Sequence, residues 1–241
     1  MISVCVTTYN GALYIREQLE SILRQLSPDD EIIVSDDGSI DQTEEIIQSM
    51  QSPLIHFYKN HGEHGYTPNF ENALKHAKGD YIFLADQDDI WQQNKVQYCL
   101  SLLSEYAMVV SDAILIDKQG KIIGDSFFSL RHPYKSFWGN IFKFGYLGCC
   151  MACRKEVVQK ALPFPKNHKK CTHDNWLFLI AKFFYNVHIT NQKLIQYRRH
   201  EKNTSKGGLN NTTTTAFKIS YRLYLIWNIM KRIFYRNTKT I

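Results

Sequence analysis

Residues 79–91 read Gly79-Asp80-Tyr81-Ile82-Phe83-Leu84-Ala85-Asp86-Gln87-Asp88-Asp89-Ile90-Trp91. Residues 81–84 are an apolar run of strand length, and three carboxylates follow within four residues: Asp86, Asp88 and Asp89. Carboxylates this close repel one another and destabilise the chain unless positive charge sits between them. A hard divalent cation is the natural guest, because Mg²⁺ or Mn²⁺ takes one or two carboxylates together with phosphate oxygens. The plainer reading is a solvated acidic turn, or the cap of a following helix. Which reading holds depends on whether the preceding strand belongs to an α/β sheet.

The flanking sequence places it in one. Residues 2–7, 32–34 and 54–58 are short apolar runs rich in β-branched or aromatic side chains. Between the first two, residues 11–26 carry Leu13, Leu19, Ile22, Leu23 and Leu26 near helical period, and 41–50 and 68–77 read as two further helices. Strands alternating with helices predict a Rossmann-like, mostly parallel sheet with helices on both faces. Ligands of such sheets sit at the carboxyl ends of the strands. The polar clusters fall there: Thr7-Thr8-Tyr9-Asn10, then Ser35-Asp36-Asp37, then the acidic cluster. Asp36-Asp37-Gly38-Ser39 has ordinary turn composition. At a strand end it is also where a ribose or base would find an acceptor. No Gly-x-Gly-x-x-Gly and no Walker-type loop occurs, which disfavours ordinary dinucleotide and ATP sites.

The later sequence is less regular. Residues 92–104 predict a helix, 108–111 and 148–153 strands, and 174–185 a helix opened by Thr172-His173-Asp174. Residues 203–215, rich in Asn, Thr, Ser and Gly, predict a loop. Over 216–236, Ile219, Leu223, Ile226, Met230 and Ile233 recur at spacings of three and four. Lys218, Arg222, Lys231, Arg232 and Arg236 accompany them, so the segment predicts a basic amphipathic C-terminal helix.

Composition bounds the function classes. With 241 residues, 44% hydrophobic and 22% charged, the chain is globular rather than disordered, collagenous or coiled-coil. The net charge of +6 is uneven: residues 1–165 carry 14 Lys+Arg against 21 Asp+Glu, and residues 166–241 carry 15 against 2. An acidic front and a basic tail argue against a nucleic-acid face. They fit a front that takes a metal and a tail that faces phosphate or an anionic membrane. Six Cys are too sparse for a disulfide scaffold. Cys150-x-x-Cys153 with Cys171 and His173 can be drawn as a zinc site, but it sits in an apolar run without paired knuckles. The opening residues lack a basic, then apolar, leader, and no run of about 18 apolar residues occurs. The expectation is therefore a cytoplasmic protein. Asn203-Thr204-Ser205 and Asn211-Thr212-Thr213 match the N-glycosylation pattern without a secretory signal to use it.

Taken in order, the motifs resemble the family-2 glycosyltransferases of GT-A fold. They are Thr7-Thr8-Tyr9-Asn10-Gly11, Glu17-Gln18-Leu19-x-Ser21-Ile22, Asp30-Glu31-Ile32-Ile33-Val34-x-Asp36-Asp37-Gly38-Ser39-x-Asp41-x-Thr43 and the 79–91 stretch. The likeness is dense over about the first 90 residues. It continues more widely spaced through Gly148-Cys149-Cys150-Met151-Ala152-Cys153-Arg154, His173-Asp174-Asn175-Trp176 and Tyr197-Arg198-Arg199-His200-x-x-Asn203. Gln87 in the acidic motif resembles a bacterial polysaccharide subgroup that includes rhamnosyl- and glucosyltransferases. Arg-Arg-His in the late motif departs from the Gln-x-x-Arg-Trp form of processive synthases.

The resemblance implies roles. Thr8, Asn10, Asp36, Asp37, Asp86 and Arg199 would bind the nucleotide. Asp88 and Asp86 would hold Mn²⁺ or Mg²⁺, with Asp88 the direct ligand. Asp174 would be the catalytic base. Asp89, His173, Trp176 and His200 would lie at the acceptor or close over the diphosphate, with Trp176 offering an apolar face to a sugar ring. The donor would be a UDP- or dTDP-linked sugar and the acceptor a glycan or lipid-linked glycan. Residues 1–110 would form the nucleotide-sugar half, 111–205 the acceptor half, and 206–241 a loop and basic helix. That helix would give peripheral contact with the inner face of the cell membrane, or else pack on the protein's own core. The chemistry is coherent on its own terms: the anomeric carbon becomes oxocarbenium-like as the diphosphate leaves, and one carboxylate takes the acceptor proton. One base and one displacement invert the anomeric centre.

Two other classes compete. A nucleotidyltransferase or metal-dependent phosphohydrolase would use the same acidic cluster, but leaves 173–176 and 197–203 unexplained. A non-catalytic binding module on an enzyme scaffold would not need the full set of carboxylates.

Overall fold

The computed structural model describes residues 1–200 and 214–234. The elements run β1 (Ile2–Thr8), α1 (Ile15–Leu23), β2 (Glu31–Asp36), α2 (Thr43–Ser49), β3 (Ile55–Lys59), α3 (Tyr66–His76), β4 (Tyr81–Asp86), β5 (Ile90–Trp91), α4 (Lys95–Leu103), β6 (Met108–Ile116) and β7 (Ile122–Gly124). There follow α5 (Phe127–Arg131), α6 (Phe137–Phe142), a 3₁₀ turn (Gly148–Cys150), β8 (Met151–Arg154), α7 (Lys155–Ala161), α8 (His173–Phe184), β9 (Val187–Arg198) and α9 (Thr215–Phe234). Together they form the GT-A type α/β architecture: a curled, mostly parallel sheet with helices on both faces.

Strands β3, β2, β1 and β4 are parallel neighbours in that order. Every residue of β1 and β2 is buried, as strands covered on both faces require. Beyond β4 the sheet turns mixed: β8 pairs antiparallel with β4 and β6, β9 runs parallel to β6, and β5 runs antiparallel to β9. Register sets the polar ends side by side, Thr8 opposite Asp36 and Thr7 opposite Asp86. Gly79 is needed where the chain enters β4, because a Cβ there would fall 2.6 Å from the Ser3 backbone nitrogen.

The turn of residues 87–89 joins β4 to β5 directly, yet β5 sits at the far end of the strand order, beyond β8, β6 and β9. The sheet must therefore curl around that turn. The curl carries the end of β9 onto the acidic cluster.

Two local expectations are corrected, a further strand emerges, and one expectation is left outside the described residues. Leu13 is exposed, because residues 11–14 form a turn in which the Tyr14 and Ile15 N–H groups donate to Gly11 O, and α1 starts only at Ile15. The run 148–153 is not one strand: Cys150 N–H donates to Leu147 O, folding its first half into the 3₁₀ turn. Strand β9 has no clear sequence signature, since Asn191-Gln192-Lys193 interrupts its apolar pattern on an exposed stretch. The expected 203–215 loop lies outside the described residues up to 213, as do Asn203, Asn211 and Arg236; α9 begins at Thr215.

Candidate active site

The front of the site is a set of interlocked loops at the carboxyl ends of β1 and β2. Asn10 has left-handed backbone geometry (φ 50°). Its side-chain oxygen accepts the Ile40 N–H at 2.9 Å, and its own N–H donates to Ser39 Oγ at 2.8 Å. Asp36 is buried and closes the turn after β2, accepting the Gly38 N–H at 3.1 Å, the Ser39 N–H at 2.8 Å and the Ser39 hydroxyl at 2.5 Å. Asp37 accepts the Asn60 amide and the Gly65 N–H, each at 2.7 Å. Its other neighbour is His64, 3.4 Å away. Both carboxylates therefore shape this wall as well as line it.

The Gln87 amide turns to the end of β1 instead of to the neighbouring carboxylates. Its side-chain oxygen accepts the Thr8 hydroxyl and the Tyr9 N–H, both at 2.8 Å, and its amide donates to Tyr9 O at 3.2 Å. The middle residue of the acidic motif thus fastens the end of β1 to the end of β4.

The acidic turn is largely closed, with Asp88 and Asp89 buried and Asp86 half-buried. Burial, then the charges of Asp88 and Asp174, push the Asp86 carboxyl up to about 7. Burial also raises Asp88, against His200, which opposes the rise. Asp89 is raised well above the carboxylate range by burial and by its two acidic neighbours. One Asp89 oxygen accepts the Arg198 N–H at 3.0 Å; the other is buried with no hydrogen-bond partner. Desolvated, mutually repelling carboxylates with an orphaned oxygen are what a hard cation relieves. Asp86, Asp89 and the Cys149 sulfur lie within 4.8 Å of one another. Cys149 is a poor ligand for such a cation: its thiol is raised well above the usual range by its contact with Cys150 and by burial, so it stays protonated.

Three groups brace this turn, and two of them, Arg198 and Lys95, the residue pattern did not single out. Arg198, buried at the end of β9, donates from Nε to Asp88 O at 2.8 Å and from Nη2 to Glu17 Oε2 at 2.6 Å, with its guanidinium over the Tyr14 ring. Lys95 is buried, donates to Cys149 O at 2.8 Å and lies over the Trp91 ring. Its charge opposes the rise of Asp86. His200 Nε2 lies 2.7 Å from Asp88 Oδ2. The inward member of the arginine doublet is thus Arg198. Arg199 is half-buried, and its N–H donates to Ile116 O. Alternation along a strand signals the choice, but only once β9 is recognised.

Asp174 enters from α8. It sits in the first turn, where the helix N-terminus favours a carboxylate. It accepts the Thr172 hydroxyl at 2.5 Å and the Asn175 N–H at 2.7 Å. Gly148 makes the approach possible: a Cβ there would fall 2.6 Å from His173 Nε2 and 3.3 Å from Asp174 Cβ. The next residue, Cys149, touches the acidic cluster, so one turn joins Asp174 to Asp86. The Asp174 charge adds to the rise of Asp86.

Three expected acceptor contacts are corrected. Trp176 is fully buried, and its indole N–H donates to Ala161 O at 2.9 Å, so no sugar can stack on it. His173 is buried against Phe70, ring centroids 3.9 Å apart. Burial, opposed by Asp174, lowers it to about 4. Asp89 belongs to the closed cluster with Cys149 rather than to an open acceptor face.

The glycosyl transferase family 2 profile matches residues 3–162. A glycosyltransferase of Rickettsia typhi, described only as uncharacterized, is 29% identical over 219 residues, spanning 87% of this chain and 67% of that one. The dTDP-rhamnosyl transferase RfbG of Shigella flexneri is 29% identical over 249 residues, spanning 92% and 79%. Among solved structures, S. aureus TarS 1–349 in complex with UDP-GlcNAc superposes with a TM-score of 0.70 at 18% identity, over 99% of this chain and 68% of that one. The mannosyltransferase PcManGT of Pyrobaculum calidifontis, in complex with GDP-Man and Mn²⁺, gives 0.64 at 17% identity, over 96% and 72%. These structural likenesses show a shared fold.

Proposed function

The chain belongs to glycosyl transferase family 2, and from that premise we propose that it moves a hexose or rhamnose from a UDP- or dTDP-linked donor to a glycan hydroxyl, with inversion. The acceptor is a glycan carried on a lipid, and the product feeds a surface polysaccharide. The dTDP-rhamnosyl transferase relative supports the rhamnosyl arm, and the UDP-GlcNAc complex of TarS the hexosyl one. The observation that carries the reading is Asp174 at the start of α8, packed by the close approach of Gly148 and near enough for its charge to raise Asp86.

Residues 1–110 take the donor, with Thr8, Asn10, Asp36 and Asp37 around the nucleoside. Residues 111–205 take the acceptor. Asp86 and Asp88 hold a divalent cation, Mn²⁺ or Mg²⁺, and the orphaned buried oxygen of Asp89 supports such a guest at this turn. When bound, the cation supplies Lewis-acid stabilisation of the charge gathering on the leaving diphosphate. His200, beside Asp88, approaches that diphosphate, with Arg198 in place of the expected Arg199 as the arginine facing the turn. Asp174 takes the proton from the acceptor hydroxyl as its oxygen attacks the anomeric carbon from the face opposite the leaving group.

Nucleoside diphosphate release in the presence of acceptor tests this. The Asp174→Asn protein is expected to lose about 10²- to 10⁴-fold in kcat while donor binding holds. Transfer by Asp174→Asn at the wild-type rate would overturn the base assignment. Pyrophosphate release from a nucleoside triphosphate would instead favour nucleotidyl transfer.

A further inference from the structure

Helix α9 is apolar on two opposite sides. Leu225, Ile229 and Arg232, spaced four and three apart, are buried against the protein. Arg232 donates to Leu162 O at 2.9 Å and to Ala161 O at 3.0 Å, just past α7, with its guanidinium 5.7 Å from the Trp176 ring centroid. This inner face fixes the helix to the domain. The other side carries Leu223, Trp227, Met230 and Phe234, spaced four, three and four apart, and all exposed. A helix already docked by one face has no folding reason to keep a second apolar stripe in water.

Helix α9 is tied to α6. Arg222 reaches across, donating to Phe142 O at 3.0 Å with its guanidinium 4.1 Å from the Phe142 ring centroid. The element so tied carries two exposed aromatics of its own, Trp138 and Phe142. Trp138, Phe142, Leu223, Trp227 and Phe234 each expose between 62% and 83% of their surface. Large apolar side chains gathered this exposed on two linked helices mark an interaction site.

Charge identifies the occupant. Residues 166–241 hold 15 Lys and Arg against 2 acidic residues. On α9, Arg222 and Lys231 flank the stripe, with the Lys231 ammonium 5.0 Å from the Trp227 ring centroid. Tryptophans with aliphatic neighbours, bordered by long cations, suit the headgroup layer of an anionic bilayer: the rings enter the interface and the cations meet lipid phosphates. No described helix is long and apolar enough to cross a membrane, so such contact lies in the plane of the surface. We propose that α6 and the outer face of α9 together form a docking surface for an anionic lipid bilayer. The proposal rests on the lipid-linked acceptor reading only for its purpose, since it concerns binding and not transfer.

Flotation of the full chain with phosphatidylcholine vesicles, with and without 30 mol% phosphatidylglycerol, tests it. The wild type is expected to float with the anionic vesicles, less so in 0.5 M salt. Leu223→Ser/Trp227→Ser and, separately, Trp138→Ser/Phe142→Ser are expected to lose about tenfold in the floated fraction. Far-UV circular dichroism and sugar transfer to a soluble acceptor should stay at wild-type levels in both. Wild-type protein that stays at the bottom, or variants that float equally, would overturn the proposal. So would a dimer in light scattering that both pairs of substitutions abolish, without flotation, because the occupant would then be a second copy of the chain. Absent transfer with intact flotation would count against the glycosyl-transfer reading alone.

Discussion

His173 and Asp174 are neighbours in sequence with opposite surroundings. The His173 ring is sealed between Phe70 and the close backbone of Gly148, and its Nδ1 is buried without a partner. Asp174, one position on, is half-buried at the helix start. The burial that lowers His173 to about 4 has a consequence for stability. Its unfolded value is near 6.5, so below that pH the unfolded chain takes up a proton that the native chain refuses. The stabilisation is complete above about pH 6.5 and is lost as pH falls towards 4, to a total of roughly 3 kcal/mol. Urea midpoints of wild type and His173→Leu at pH 7 and pH 4.5 check this: the gap between the two proteins should narrow or reverse at the lower pH. A gap independent of pH would mean that the ring titrates freely. At this scale the sequence was informative about chemistry and silent about direction. The carboxylates announce themselves by their mutual repulsion. Nothing in His-Asp-Asn-Trp distinguishes a buried ring from an acceptor contact, because that depends on how α8 is rolled against α3 and α7.

Helix α9 is legible in the sequence as an element with a period of three and four. The stripe that the sequence offers most plainly is the wetter one. Ile219, Leu223, Met230 and Ile233 are exposed, and the domain is gripped instead by Leu225, Ile229 and Arg232. A helix apolar on two sides gives the same sequence signal from either, and only the neighbours decide which is inside. The two faces predict different costs. Leu225→Ala removes a fully buried side chain and is expected to destabilise by about 2–5 kcal/mol. Leu223→Ala, on the outer face, should stay within about 0.5 kcal/mol. Chemical denaturation of the two variants compares them directly, and equal losses would mean that the outer face is also covered by protein. Strand β9 shows the converse failure. Its polar residues 191–193 hide a strand whose last residues carry the arginine that braces the acidic turn.

At the scale of the molecule, the site exists because the sheet curls. Thr8, Asp36 and Asp86 come together by parallel register, which the alternating strands and helices of the first half already imply. Arg198 and His200 arrive from more than a hundred residues away, and Glu17 and Lys95 from two different helices. Long-range convergence of this kind leaves no periodicity to read. It does make the donor site a linkage between distant parts of the fold, so a ligand that fills it should stabilise the whole domain. A nucleotide at 100 times its dissociation constant adds about 2.7 kcal/mol. For a chain of this length, that is a rise of about 5–10 °C in Tm. Thermal melts with UDP, dTDP or GDP, each with and without Mn²⁺, are expected to show that rise for UDP or dTDP when the metal is present. Asp88→Ala should abolish it, because the variant removes a carboxylate from the turn and also frees His200 from its 2.7 Å contact. A rise that survives Asp88→Ala would place the nucleotide on the Asp36–Asp37 wall alone. A rise that needs no metal would leave the crowding of these carboxylates to be relieved by Lys95 and Arg198, whose charges oppose the rise of Asp86 and Asp88.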